Sequence, residues 1–291
     1  MMMCEHVLRR EEIYVAEQDA VVEEQVGFPW RYFAIAFAWA WVFWAIPLAT
    51  TRGWITNPTL SGLRVPLLAV GAYAPFVAAF WLTFRDGGRV AAWRFFKRAF
   101  LWKIPPMTLL VALFLSPALA ALAVWVRSMQ GGVPLAFQVR WNQVPVVLFF
   151  LFFLGGSFNE EFGWAYAIDR MLPRWGFVKG ALLLGCVWAC WHGPLFFMPT
   201  QSQSHMPFWT FLILCCSLRL LYVWAYDSAR QSILVALLFH TSVNFTLNLF
   251  ALLDPAISPL RQATWMYYMA LLVLSAVVVG VVSQRKKVAN G

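Results

Sequence analysis

The stretch Val144-Pro145-Val146-Val147-Leu148-Phe149-Phe150-Leu151-Phe152-Phe153-Leu154-Gly155-Gly156-Ser157-Phe158-Asn159-Glu160-Glu161-Phe162-Gly163-Trp164 runs from unbroken apolar sequence straight into two adjacent carboxylates. The chain holds thirteen acids. Seven stand in the first 24 residues, and Asp86, Asp169, Asp227 and Asp254 fall in or beside stretches that read as loops, which leaves Glu160 and Glu161. A carboxylate at membrane depth costs about 2.5 to 3.5 kcal/mol on insertion scales, so it marks a functional site and calls for a partner. The bland reading beside it is a helix end at the headgroup level with two solvated acids.

The surroundings explain why that depth matters. Of 291 residues 62% are hydrophobic and 12% charged, with a mean hydropathy of +0.67. This composition belongs to a polytopic membrane protein, not a soluble domain. Apolar runs of about the length a spanning helix needs cover residues 32–50, 65–84, 105–126, 144–168, 179–198, 207–226, 232–251 and 265–282. The expected fold is therefore an all-α membrane bundle of about eight helices. An acidic cytosolic tail (1–29) precedes one integral-membrane domain (30–284), and a basic cytosolic tail (285–291) follows it. The acidic N-terminal tail lacks a basic stretch followed by a short apolar core, which argues against a cleaved signal peptide.

With the spans placed this way, sixteen of the 22 Lys and Arg lie on one side and five on the other, with Arg219 inside a span. That bias puts both termini in the cytoplasm. A net charge of +9 distributed between apolar runs sets topology and does not point to nucleic acid. The basic, aromatic-rich segment from Arg85 to Lys103 reads either as an amphipathic stretch against anionic lipid headgroups or as an ordinary positive-inside loop. Trp30, Tyr32, Trp54, Trp141, Trp265 and Tyr267 fit interfacial anchors. Of the five cysteines, Cys186, Cys190, Cys215 and Cys216 sit within apolar runs and read as small buried hydrophobes.

Two histidines lie deep in apolar runs. His192 follows Trp188 by four residues, and His240 precedes Asn244 by four, so His240 and Asn244 share a helical face. At 1.5 Å per residue, Glu160, His192 and Asn244 fall about 18 to 20 Å from their cytoplasmic ends and His240 about 12 Å. The three helices can thus present these groups at one level. A desolvated Glu can act as general base toward a water with a His sharing the proton. A second His and an Asn can donate hydrogen bonds to the oxygen of a tetrahedral intermediate. That set describes hydrolysis of a peptide bond. The alternative is a divalent metal, zinc by ligand type, on Glu160, His192 and His240; the His-Glu-x-x-His pattern is absent, and spacing alone assigns no metal.

At these residues the chain resembles the CPBP family of intramembrane proteases, the type II CAAX prenyl endopeptidase and bacteriocin-processing and immunity group. Its first motif, two glutamates followed by an arginine, is similar to Glu160-Glu161-Phe162-Gly163-Trp164; its second resembles Trp188 with His192, and its third His240 with Asn244. The resemblance covers about residues 65 to 250. It implies that Glu160 with His240 activates water, that His192 and Asn244 stabilise the oxyanion, and that Glu161 and Trp188 support them. It also implies a peptide or protein substrate, membrane-associated or lipidated, in a bacterial or archaeal plasma membrane. The motif's arginine position is Ala165 here, with Arg170 further on. That departure keeps a second function open, a catalytically silent membrane binding or immunity protein on the same scaffold. A third, proton-coupled transport, would use the same buried groups, although no internal repeat supports it.

Overall fold

The computed structural model describes residues 28–131, 137–250, 252 and 259–289, with backbone only at 259–263 and 285–289. The acidic tail before residue 28, Asp254 and the last two residues of the basic tail lie outside the described residues. What is described is a bundle of helices: α1 (Trp30–Thr51), α2 (Pro58–Gly62), α3 (Arg64–Ala72), α4 (Ala74–Lys97), α5 (Pro106–Met129), α6 (Val144–Phe153), α7 (Ser157–Trp191), α8 (Phe208–Ser228), α9 (Ile233–Leu249) and α10 (Pro259–Ala289). Proline opens several of them, at the first or second residue of α4, α5 and α6. At these positions its missing N–H would have had no helical partner.

The chain is a multi-pass membrane protein. Among the described residues, five helices are long and apolar enough to cross a bilayer, six if the bent pair α3 and α4 forms one span; α9, at 17 residues, is shorter. The expectation of eight counted apolar runs, and the helices are cut differently. The run 65–84 is broken at Tyr73 with a bend of 42°, and the runs 144–168 and 179–198 belong to one stretch, Trp141–Trp191.

That stretch folds back on itself. Gly176 sits inside α7 with φ +68°, in the left-handed region that glycine enters without steric penalty. A straight helix would hold residues 160 and 188 about 42 Å apart, whereas the Trp188 indole N–H donates to Glu160 at 2.5 Å. Gly176 is therefore the corner of an antiparallel pair, residues 157–175 and 177–191. Both arms carry site residues.

Small residues line the helix contacts and large ones the outside. Ala112, Ser116 and Ala120 recur every fourth residue on α5 and are fully buried, as are Ala36 and Ala40 on α1. This is how helices approach closely where lipid removes the hydrophobic incentive. Ser116 Oγ and Tyr268 OH meet at 2.9 Å between α5 and α10, and Ser242 on α9 donates to the Leu113 carbonyl of α5 at 2.7 Å. Trp81, Phe114 and Val146 face outward, as lipid contact requires.

Several expectations are corrected here. Tyr32 is fully buried, not interfacial; its ring packs against Phe33, Trp164 and Tyr166. Cys186 and Cys190 lie on the outer surface, against the expectation of burial, while Cys215 is buried. Asp86, Asp169 and Asp227 are helical. Asp169 accepts a 2.6 Å bond from Arg98 and another of 2.6 Å from Tyr226, so part of the basic segment ties α4 to α7 and does not face lipid.

Candidate active site

The two glutamates are neighbours in sequence and differ in everything around them. On a helix, consecutive side chains diverge by about 100°, so Glu160 and Glu161 point to different partners. Glu160 Oε2 accepts from the Trp164 indole N–H at 3.0 Å and from Trp188 at 2.5 Å. Both donors hold the same oxygen, which leaves Oε1 unengaged by them. Glu160 lines a cavity of about 350 Å³ shared with Asn159, Gly156, Trp191 and His192. Asn159 is fully buried, and its side-chain amide finds no hydrogen-bond partner among the described residues.

Glu161 has no such freedom. Arg219 on α8 grips it with two parallel bonds, 2.8 Å to Oε2 and 2.7 Å to Oε1, and Oε1 also meets His240 Nδ1 at 2.7 Å. All three side chains are buried. The guanidinium lies over the Trp188 ring at 4.1 Å and within 5.5 Å of the Trp164 and Tyr222 ring centres. Because Glu161 serves the guanidinium as an acceptor, the imidazole Nδ1 is the donor, and the ring's lone pair sits on Nε2. Tyr222 stacks on that imidazole at 5.5 Å.

Gly156, the break between α6 and α7, lies where these groups converge. Its φ is +118°, and a Cβ there would stand 3.0 Å from both Glu160 Oε1 and His240 Nε2. The free carboxylate oxygen and the free imidazole nitrogen thus face one point. Asn244 donates to the Gly155 carbonyl at 2.6 Å, and Thr241 bonds Ser157 at 2.8 Å, so α9 pins the break from the other side. His192 caps the second arm of α7, with Nδ1 against the Trp188 carbonyl at 2.9 Å. A carbonyl only accepts, so Nδ1 carries a proton and Nε2 is the remaining functional atom.

Of the sequence-derived residues, Trp188 contacts Glu160 and His240 contacts Glu161, and the Trp188 and His240 rings lie 5.6 Å apart. His192 stands on the cavity wall beside Glu160, and Asn244 supports the turn. Arg219 was not read as part of this group; its signal was an arginine inside an apolar run, where an unpaired charge is costly and a partner is owed. Arg170 bonds the Tyr166 carbonyl at 3.0 Å.

A zinc ion on Glu160, His192 and His240 is an alternative that rests on ligand type alone. Among the described residues no three His, Cys, Asp or Glu side chains gather as metal ligands. Glu160 is already held through Oε2 by two indole donors.

A family model described as type II CAAX prenyl endopeptidase Rce1-like matches residues 141–246, the segment that contains every residue named above as part of the site. A curated relative from Methanococcus maripaludis, named CAAX prenyl protease 2, is 27% identical over 239 residues, covering 77% of this chain and 85% of its own length. These two matches support the CPBP family. Both matches indicate a protease of the CAAX prenyl endopeptidase type. The matched segment ends two residues beyond Asn244, so it spans both arms of α7, all of α8 and most of α9.

Proposed function

We propose that this protein is an intramembrane endopeptidase that hydrolyses a peptide bond of a membrane-associated or lipidated substrate with a water activated by Glu160 and His240. The observation that carries this is the convergence of Glu160 Oε1 and His240 Nε2 on one point beside Gly156. A water there donates to both atoms, and the oxygen left with its lone pair turned outward attacks a carbonyl entering from the cavity. The proton passes to the Glu160–His240 pair and from there to the leaving amine. His192 lines the same cavity. With Nδ1 committed to the Trp188 carbonyl, it donates to an oxyanion only when Nε2 carries a proton as well. Asn244 holds Gly155 with one N–H and keeps a second for the same oxygen.

The catalytically silent reading rested on Ala165. It loses force because Glu161 already has an arginine, delivered by α8. Exposed Arg85, Arg89, Arg94 and Lys97, with exposed Trp93 among them, suit anionic headgroups and would hold the substrate-bearing face to the bilayer surface, with both chain ends cytoplasmic.

The test is cleavage of lipidated and unmodified peptides by purified protein in proteoliposomes, with products identified by mass spectrometry. Cleavage is expected in wild type and absent in Glu160→Gln; no product from any peptide overturns the reading. A chelator is expected to leave the rate within about twofold, because no step needs a metal. Loss of activity restored by added zinc would show that the donor set rearranges around an ion.

A further inference from the structure

The mechanism proposed above uses Glu160 and His240 and leaves unexplained a buried arginine that touches the partners of both. Arg219 is 1% exposed. It reaches His240 through Glu161, whose Oε1 contacts the guanidinium and the imidazole Nδ1 at 2.7 Å each. It also reaches Glu160 through Trp188, whose ring lies under the guanidinium and whose N–H donates to Glu160. A cation over an indole face draws on the ring's electron density, which strengthens the N–H as a donor.

We propose that Arg219 is the positioning residue of this site: by keeping Glu161 a hydrogen-bond acceptor it fixes the Nδ1–H form of His240 and leaves Nε2 free beside Glu160. This rests on the hydrolase reading. The reason is chemical. Without the guanidinium, Glu161 would be an uncompensated buried charge, and the neutral acid replaces it. A neutral acid donates to Nδ1. The ring proton then moves to Nε2, and the lone pair that should face the water is gone. The wrong tautomer costs a histidine base its function even when every atom stays in place.

The space around Arg219 allows a direct check of position. Ala165 lies one turn beyond Glu161 on the same helical face and borders, with Glu161 and Arg219, one narrow gap in the bundle. A guanidinium sent from residue 165 could therefore enter the volume vacated when Arg219 is shortened.

The experiment compares wild type with Arg219→Leu, Arg219→Lys, Glu161→Leu/Arg219→Leu and Ala165→Arg/Arg219→Leu. It measures kcat and KM on a cleaved peptide, and records 15N spectra of protein labelled at its histidine rings. Arg219→Leu is expected to lower kcat by roughly a hundredfold or more with KM little changed, the pattern of an interaction that acts in the transition state. Arg219→Lys is expected to recover only part of it, since an ammonium cannot make the paired bonds. The double leucine variant removes both charges and so keeps the fold, yet it is expected to be equally impaired. The Ala165→Arg double variant is expected to regain at least tenfold of the lost rate and the Nδ1–H signal of His240. Wild-type kcat in the double leucine variant, or an unchanged His240 signal in Arg219→Leu, overturns the proposal while leaving the hydrolase reading intact. Absence of cleavage by wild type overturns the hydrolase reading and with it the role proposed for Arg219, whatever tautomer His240 shows.

Discussion

Glu160→Gln is expected to lower kcat by roughly 10²- to 10⁴-fold with KM close to that of wild type, because it removes a proton acceptor and almost nothing else. Glutamine is isosteric, and its carbonyl oxygen can keep the two indole bonds that Oε2 receives from Trp164 and Trp188. Its amide nitrogen then occupies the place of Oε1. That nitrogen donates and cannot accept, so a water beside Gly156 is left with His240 alone. Melting temperature separates this from misfolding: the variant should melt within a few degrees of wild type. A rate within threefold of wild type would remove Glu160 from the chemistry and leave the convergence at Gly156 without a purpose.

Gly156→Ala is expected to abolish turnover as fully as Glu160→Gln does, through space. The added methyl would stand 3.0 Å from Glu160 Oε1 and 3.0 Å from His240 Nε2, on the point where the attacking water belongs. It would also hold an L-residue at φ +118°, a strain of order 1 to 3 kcal/mol. The two effects can be told apart by calorimetry, since strain lowers the melting temperature and blockage does not. Peptide binding measured in the Glu160→Gln background should persist when Gly156→Ala is added, because the methyl fills the water's place and not the cavity. If the alanine variant turns over at the wild-type rate, the water is elsewhere.

Membrane class and the buried carboxylate pair Glu160 and Glu161 were legible in the sequence because both depend on a local signal. An apolar run of twenty residues needs no tertiary information, and two acids beside such a run stand out against it. The pairing of Glu161 was not legible. Its partner Arg219 comes from a helix 58 residues later, and nothing in either segment states that they meet. The number of spans failed to read cleanly for a related reason. Gly155 and Gly156 interrupt a helix within apolar sequence, and hydropathy does not register a change of direction there. Asp169 was assigned to a loop because an acid at the end of an apolar run is usually solvated; here Arg98 and Tyr226 take it inside. Tyr32 shows the converse, an amphipathic ring near a helix start that packing claimed for the core.

The separation of Glu161 from Arg219 also bears on how the molecule is made. At a synthesis rate of about 5 to 20 residues per second, the ribosome delivers the acid several seconds before its counter-charge. Throughout that interval the hairpin bent at Gly176 carries an acid that the hydrocarbon will not accept ionised. The nascent hairpin must wait at the insertion machinery, or travel with that acid protonated, until α8 emerges. The site is thereby completed late in biogenesis, and a half-made chain cannot cut its neighbours.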